Sequence, residues 1–150
     1  FVAKDVVEKV PALRAWMKRL YCEFLNRDDL KQGMKVILSC IDKVKRGISI
    51  FIFPEGTRNK NKEDSTDIAT FKDGSFKIAQ KTGCKIVPVA ITGSNQIFED
   101  HVPFIKSAKV IIEYGKPITY KELESEDQKH VGAYFQKQIQ GMLVAHKEMM

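Results

Sequence analysis

The run ISIFIF at residues 48–53, closed by Pro54, decides the fold of this 150-residue chain. Its β-branched, aromatic and other apolar side chains follow one another with a single serine between them, so neither face of a strand there would suit water. Strands of this kind are buried on both faces and occur mainly in parallel sheets covered by helices. The run therefore predicts a buried strand in a largely parallel sheet.

An amphipathic helix is predicted immediately before this strand, over residues 28–46. Its apolar residues recur at three- and four-residue spacing, which places them on one helix face. Asp28 or Asp29 can cap the start of the helix, and Gly47 can end it. A helix followed by a strand is the repeating unit of an α/β domain.

The same order recurs downstream. Residues 74–81 predict a second helix with Gly83 as a left-handed C-terminal cap, and residues 86–91 form a second apolar run that contains Pro88. Because proline cannot donate a hydrogen bond to a ladder, this strand should be bulged or lie near a sheet edge at Pro88, unless the proline marks a functional bend.

A third apolar run at residues 110–114 and a helical pattern from Glu124 onward complete the series. The 43% of hydrophobic residues suffice for one core. The sequence therefore predicts a single α/β domain over residues 1–150, with a mixed, largely parallel sheet flanked by helices.

Charge and cysteine content limit the kinds of partner and of cellular compartment that this chain would have. Twenty-five Lys plus Arg against nineteen Asp plus Glu give a net charge of +6, which favours an anionic partner. The three cysteines, Cys22, Cys40 and Cys84, are too few for a disulfide framework, so we expect small buried side chains in a reducing compartment. No run approaches the roughly 18 apolar residues of a membrane span.

The segment at residues 10–25 combines large apolar side chains with Arg14, Lys18 and Arg19. This composition is typical of a basic amphipathic helix that lies on a membrane surface. A helix that packs on the sheet through the same apolar residues would have the same pattern, and we expect that packing in a single small domain.

The turn after the first buried strand has the composition of a binding site. The sequence FPEGTR at residues 53–58 places a proline, a carboxylate, a glycine, a hydroxyl and a guanidinium at the C-terminal end of a predicted strand, where open α/β sheets bind ligands. Arg58 can grip a phosphate, and Glu55 can orient Arg58 or accept a hydrogen bond from a substrate hydroxyl. A structural Glu–Arg pair in a tight turn is the alternative.

Four blocks of this chain resemble, in order, signature blocks of the glycerolipid acyltransferase family. They are FLNR at residues 24–27, FIFPEGTR at 51–58, FKDGS at 71–75 and IVPV at 86–89. The resemblance spans essentially the whole chain and is most like the 1-acyl-sn-glycerol-3-phosphate acyltransferases. It implies the glycerol-3-phosphate acyltransferase-like α/β fold.

The resemblance implies transfer of a fatty acyl group from acyl-CoA or acyl carrier protein to the free hydroxyl of 1-acyl-glycerol 3-phosphate, which makes phosphatidic acid. Neither a cofactor nor a metal is expected. The family's substrate-binding positions fall here on Arg27, Glu55, Gly56, Thr57, Arg58, Lys72, Gly74 and Pro88. From the residues alone, Lys72 could also be a solvated lysine beside a capping Asp73.

One block of the family has no counterpart in this sequence: a histidine followed five residues later by an aspartate, the general base and its orienting carboxylate. His101 is followed at that distance by Lys106, and His130 by Phe135. We expect the three histidines to be ordinary surface or helix residues and the catalytic pair to lie upstream of Phe1. The domain would then lack its N-terminal part, and these residues alone would be inactive.

Two other classes of function compete with this interpretation. A non-catalytic acyltransferase-like domain that binds phospholipid would fit a genuine absence of the catalytic pair. A nucleic-acid binder is disfavoured, because the basic residues are interspersed with acids and the aromatic residues fall in apolar runs. For a lipid acceptor we expect a location on the cytoplasmic face of a membrane, peripheral or anchored by an upstream segment.

Overall fold

The computed structural model describes residues 1–26, 29–57, 64 and 66–149. The helices are α1 Pro11–Arg19, α2 Leu30–Lys45, α3 Lys77–Thr82, α4 Ser125–Lys129 and α5 Val131–Met149. The strands are β1 Val2–Lys4, β2 Glu23–Leu25, β3 Lys85–Ile86, β4 Val89–Thr92, β5 Ile111–Tyr114 and β6 Ile118–Thr119. Short 3-10 turns span Asp5–Lys9, Asp73–Phe76, Ser94–Ile97, Glu99–His101 and Tyr120–Glu122.

The strands pair two by two, and the α/β class with mixed pairing is confirmed. Strand β1 runs parallel to β2, with Val2 opposite Glu23, whereas β3–β6 and β4–β5 are antiparallel. "Largely parallel" therefore overstates the pairing seen in the described ranges. A parallel pair needs a crossover, which α1 supplies between β1 and β2, while the connection from β4 to β5 contains no α-helix.

The prediction of a buried ladder strand at residues 48–53 is wrong. The segment has no regular strand assignment, and its side chains are half-buried or exposed. The backbone N–H of Val2 donates to the carbonyl oxygen of Phe51 at 3.1 Å, so the segment runs beside β1. Residues 48–53 and 84–89 both line an apolar cavity, and within the described ranges no ladder joins the two segments.

Helix α2 confirms the prediction made from its spacing. The carboxylate of Asp29 accepts a hydrogen bond from the backbone N–H of Gln32 at 3.0 Å, as an N-cap does, while Asp28 lies outside the described residues. Gly47 follows the helix with φ of 83°, a left-handed conformation that suits glycine. The buried face of α2 packs with Ile78 and with Val2 and Leu25 of the β1–β2 pair.

Pro88 interrupts the second apolar run, as its missing N–H predicted. Strand β3 ends at Ile86 and β4 begins at Val89, so the proline lies between two short strands. Its carbonyl oxygen accepts a hydrogen bond from Gly115 at 2.8 Å. The helix predicted for 74–81 forms as a 3-10 turn that leads into α3, and the cap at Gly83 is confirmed with φ of 70°.

The main core lies between α5 and the segment that precedes α3. Phe76 and Phe135 stack with ring centroids 5.4 Å apart, and Phe71, Leu123 and Val131 are buried around them. The tail predicted to be helical from Glu124 is two helices, α4 and α5, which meet at His130. This core fixes residues 71–76 against the first half of α5.

The prediction that the helix in the segment at residues 10–25 packs on the sheet is wrong. Helix α1 contains no buried residue, and Trp16 is 65% exposed. The reason is that α2 already packs on β1 and β2, while α1 is joined to the turn Asp5–Lys9 by an ion pair of Lys18 with Glu8 at 3.4 Å. The apolar residues of α1 therefore face outward.

His146 is a helix residue, as expected, but it lies on the buried face of α5. It is 1% exposed, with Nδ1 2.8 Å from the hydroxyl of Thr92 and Nε2 2.9 Å from a carboxylate oxygen of Glu113. These contacts join α5 to β4 and β5. His130, by contrast, is largely exposed, as expected.

Cys22 and Cys40 are buried, which confirms their interpretation as core side chains, whereas Cys84 is half-buried. All three thiols are free. Burial, followed by the negative charge of Glu23, raises the pKa of Cys40 to about 11. None of the helices in the described ranges combines the length and apolar content needed to cross a bilayer.

Candidate substrate-binding site

The turn at residues 54–57 is bonded to the segment at residues 66–72, so two of the sequence blocks meet in space. The backbone N–H of Lys72 donates to the carbonyl oxygen of Pro54 at 3.0 Å. The carboxylate of Glu55 accepts a hydrogen bond from the backbone N–H of Ala69, also at 3.0 Å. Both bonds hold the turn against the residues that precede α3.

Glu55 has a structural partner that the sequence did not reveal. One carboxylate oxygen is bonded to Ala69, so this side chain anchors the turn. A carboxylate has two oxygens and several acceptor positions, which leaves capacity for a substrate hydroxyl or a cation. The two predicted roles of Glu55, orienting Arg58 and accepting from a substrate, stay predictions.

Gly56 lets the Lys72 side chain approach the turn. Its φ of 65° lies in the left-handed region, and a Cβ added there would lie 3.2 Å from Lys72 Nζ. The exposed ammonium group of Lys72 therefore lies directly against the backbone of the turn. This geometry places a positive charge where the sequence predicts phosphate binding.

Asp73 does not cap the short helix that it begins. Its carboxylate accepts a hydrogen bond from the backbone N–H of Gly132, at the start of α5, at 3.0 Å. A Cβ on Gly132 would lie 2.7 Å from this carboxylate oxygen and 2.9 Å from the carbonyl oxygen of Phe71. Only glycine fits there without a shift of the neighbouring chain, and a glycine inside a helical pattern was the available sequence signal.

Two glutamines of α5 hold the segment that leads to Lys72. Gln136 accepts from the backbone N–H of Phe71 and donates to the carbonyl oxygen of Ile68, both at 3.3 Å. Gln140, one helical turn later, donates to the carbonyl oxygen of Thr66 at 3.3 Å. Sequence reasoning missed this clamp because it joins residues 65 to 74 positions apart.

The same face of α5 reaches further along the segment through an ion pair. Lys147 Nζ lies 2.8 Å from a carboxylate oxygen of Asp64. This contact, together with hydrogen bonds from the hydroxyl and backbone N–H of Thr66, holds the pKa of Asp64 well below its usual range. The segment from Asp64 to Asp73 is thus bonded to α5 at both of its ends.

An apolar cavity of about 640 Å³ borders the turn at Pro54 and Glu55. Its volume is within the usual range of small-molecule sites. Residues 48–53 form one wall, Phe76 and Phe135 contribute from the core, and Pro88 lines it from the fourth block. The structure therefore places an apolar space beside the turn that Lys72 contacts.

The described residues bring together four of the predicted site residues: Glu55, Gly56, Lys72 and, through the cavity wall, Pro88. Thr57 is exposed at the end of the described turn. Gly74 is not closely approached, since a Cβ added there meets nothing within 4 Å. Arg27 and Arg58 lie outside the described residues.

Metal-ligating side chains are not clustered in this part of the chain. Within the described ranges, no group of three or more His, Cys, Asp or Glu residues could hold a metal ion. The side chains present offer a cation, hydrogen-bonding groups and an apolar cavity. Such a set can bind an amphiphile with an anionic head.

The chain is similar to known acyltransferases in sequence. A family model described as "Acyltransferase" matches residues 1–92. The 1-acyl-sn-glycerol-3-phosphate acyltransferase of Borreliella burgdorferi is 29% identical over 138 residues, which cover 92% of this chain and 54% of that protein. The chloroplastic enzyme BAT2 of Brassica napus is 34% identical over 97 residues, 65% of this chain and 27% of that protein.

The fold is also similar to a solved structure. The crystal structure of PlsC, the 1-acyl-sn-glycerophosphate (LPA) acyltransferase of Thermotoga maritima, matches 98% of this chain with a TM-score of 0.78 and 26% identity. The match covers 56% of that chain. The 150 residues thus match about half the length of the PlsC chain in the crystal structure. They match about half the length of the Borreliella burgdorferi enzyme and about a quarter of the length of BAT2.

Proposed function

Since this chain belongs to the acyltransferase family, we propose that it carries the acceptor-binding part of a 1-acylglycerol-3-phosphate O-acyltransferase. The free hydroxyl of 1-acyl-glycerol 3-phosphate attacks the thioester carbonyl carbon of acyl-CoA or acyl carrier protein. A C–O bond forms, the C–S bond breaks, and the thiol leaves with the proton. The product is phosphatidic acid.

The observation that carries this proposal is the position of Lys72 Nζ against Gly56, beside an apolar cavity that begins at Pro54 and Glu55. An acceptor with a phosphate and a fatty chain needs a cation and an apolar space next to each other. Holding both substrates in one orientation turns a bimolecular reaction into an effectively unimolecular one. We propose that the ammonium contacts the phosphate and that the cavity holds a fatty chain.

The remaining members of the proposed site come from the sequence blocks. Arg27 belongs to the block at residues 24–27, and Arg58 belongs to the same block as Glu55 and Gly56, at residues 51–58. Guanidinium groups bind phosphate with two parallel charge-assisted hydrogen bonds. We propose that both arginines, together with Thr57 and Gly74, complete the acceptor site.

The proton acceptor in this proposal is not one of the three histidines of this chain. His146 is engaged by Thr92 and Glu113 and does not line the cavity, while His130 and His101 have no acid at the family spacing. We propose that a histidine and an aspartate encoded upstream of Phe1 supply the general base. Neither a metal nor an organic cofactor enters this scheme.

A second candidate is a non-catalytic phospholipid-binding domain with the acyltransferase fold. The observation that favours it is the missing histidine–aspartate spacing in these 150 residues. Such a domain would use the same Lys72 site and cavity for binding alone. In either case the bound molecule is a lipid, so we propose a position at the cytoplasmic face of a membrane.

An assay of thioester cleavage separates the two candidates. The complete gene product and the 150-residue chain are mixed with acyl-CoA and lysophosphatidic acid, and release of free thiol is followed. We expect turnover by the complete product and none by the 150 residues. Comparable turnover by both would place the base within this chain, whereas binding of lysophosphatidic acid with no turnover by either would favour the second candidate.

A further inference from the structure

We propose that the outward apolar face of α1 docks on an anionic lipid bilayer. The inference deepens the proposed function and rests on it, since an enzyme with lipid substrates must meet a membrane. It is argued from the side chains of α1, their exposure and their charge.

The apolar side chains of α1 and its C-cap form one continuous stripe. Leu13, Trp16, Met17 and Leu20 follow the i, i+3, i+4, i+7 spacing of a single helix face. In a core helix this stripe would be buried, but Leu13 is 49%, Trp16 65% and Leu20 61% exposed. An exposed stripe of large apolar residues on a folded domain marks an interaction surface.

The charges of α1 identify the kind of partner. Its three charged residues, Arg14, Lys18 and Arg19, are all basic, and they project to the side of the helix away from the apolar stripe. The guanidinium carbon of Arg19 lies 6.0 Å from the centre of the Trp16 ring, at the border between the two faces. Basic and apolar faces on one helix suit the boundary between headgroups and acyl chains of an anionic membrane.

The C-terminal end of α1 is held in place, so the stripe is preformed. The backbone N–H of Cys22 donates to the carbonyl oxygen of Met17 at 2.9 Å, and the backbone N–H of Tyr21 donates to the carbonyl oxygen of Lys18 at 3.1 Å. Tyr21 has φ of 57°, and this left-handed residue completes a Schellman motif together with the hydrogen bonds from Tyr21 and Cys22. No ordering of the helix is needed when it meets a surface.

A lipid surface fits α1 better than a second copy of this chain does. Two such helices packed stripe to stripe would leave their six basic side chains with no acid from either helix to pair with, whereas the headgroups of an anionic bilayer supply that counter-charge. With nine residues, α1 is about 14 Å long, which is too short to span a bilayer but long enough to lie on it. Tryptophan is also enriched at the depth where headgroups meet acyl chains.

Trp16 provides a direct test, because it is the one tryptophan in the sequence. The 150-residue chain is mixed with vesicles of phosphatidylcholine containing about 30% phosphatidylglycerol, and with pure phosphatidylcholine vesicles. We expect the Trp16 emission to shift to the blue, and brominated lipids to quench it, with the anionic vesicles. Cosedimentation gives the affinity.

Two double variants with the same change of charge separate the α1 stripe from general effects. Leu13→Glu/Leu20→Glu places carboxylates on the stripe, and we expect at least a tenfold loss of vesicle affinity. Ile112→Glu/Val144→Glu changes two residues that are 53% and 51% exposed on β5 and α5, and the affinity should fall much less. Far-UV circular dichroism checks that both variants fold.

Three results would overturn the docking surface. They are equal affinity of the two double variants for vesicles, no spectral shift of Trp16 on anionic vesicles, and a shift that follows protein concentration without lipid, which would indicate self-association.

Thiol release by the complete gene product, with a short-chain lysophosphatidic acid below its micellar concentration, tests the proposed function separately. Turnover without vesicle binding overturns the docking surface alone, whereas vesicle binding without turnover overturns the enzymatic proposal alone.

Discussion

The ammonium of Lys72 lies so close to Gly56 that a Cβ on the glycine would be 3.2 Å from Lys72 Nζ. The two residues belong to separate sequence blocks, and the hydrogen bond between the Lys72 N–H and Pro54 fixes the distance between them. At this pair, the positive charge of Lys72 lies against the turn at residues 54–57. The pair also gives the first prediction.

Gly56→Ala should damage the acceptor site more than it damages the fold. The added methyl group displaces Lys72 Nζ, and alanine at φ of 65° costs about 1–2 kcal/mol. Gly83→Ala is the matched control, because its φ is 70° and a Cβ there meets nothing within 4 Å. We expect both variants to lose stability in urea unfolding, but only Gly56→Ala to raise the acceptor KM several-fold; equal KM values would remove Lys72 from the site.

Gly132→Ala should loosen the Lys72 segment from α5. The new Cβ would lie 2.7 Å from the Asp73 carboxylate and 2.9 Å from the Phe71 carbonyl oxygen, so the segment must shift, at a cost of about 1–3 kcal/mol. Gly141→Ala on the same helix meets nothing within 4 Å and should stabilise it by about 0.5–1 kcal/mol. Thermal unfolding of the two variants should shift in opposite directions, and a stabilised Gly132→Ala would contradict the close packing.

Arg58→Ala should weaken acceptor binding by about 1.5–3 kcal/mol, the value of a charge-assisted hydrogen bond. This expectation comes from the sequence block, since Arg58 lies outside the described residues. Acceptor saturation curves of the complete gene product measure it, with Lys129→Ala, an exposed cation of α4, as the control for charge alone. An unchanged acceptor KM would exclude Arg58 from phosphate binding.

His146→Phe should destabilise the fold by about 2–4 kcal/mol. The phenyl ring cannot bond to the buried hydroxyl of Thr92 or to Glu113, so the hydroxyl loses its partner and the joint between α5 and β4 weakens. His130→Phe, at a largely exposed histidine, should change the free energy of unfolding by less than about 0.5 kcal/mol. Urea unfolding of both variants measures the difference, and similar values would show that the buried contacts contribute little.

Cys40 should make the protein less stable above pH 9. Its pKa is raised from 9.0 to about 11 in the folded state, so between these values the unfolded chain loses the thiol proton while the folded chain keeps it. The unfolded state then binds fewer protons, and the free energy of unfolding falls as pH rises from 9 to 11. Below pH 9 the thiol adds no pH dependence.

The contribution of Cys40 can be isolated by comparison with Cys40→Ala, because lysines and tyrosines titrate in the same range. We expect the wild-type free energy of unfolding to fall more steeply than that of the variant between pH 9 and 11. Parallel curves would show that the thiol ionises equally in both states. Alkylation at pH 8 should also reach Cys84 before the fully buried Cys40.

Local signals predicted much of the secondary structure and the site blocks. The start of α2 at the Asp29 cap, the left-handed Gly47 and Gly83, and the break at Pro88 all depend on a residue and its immediate neighbours. The family resemblance assigned both the turn at residues 54–57 and Lys72 to the substrate site, and the structure places the Lys72 side chain against Gly56. The ladder strand at residues 48–53 failed because an apolar run indicates burial without showing which neighbour supplies the hydrogen bonds.

The sequence by itself determined the family, the α/β class, the cap and end of α2 and the residue types of the candidate site, because these depend on motifs and on periodicity within one segment. Only the tertiary structure decided that His146 is buried against Thr92, that Gln136 and Gln140 hold the Lys72 segment, and that the apolar stripe of α1 faces outward. Each of these depends on which elements pack together. A helix that covers a sheet and a helix whose apolar face stays exposed have the same amphipathic pattern, and the packing of α2 on β1 and β2 is visible only in the tertiary structure.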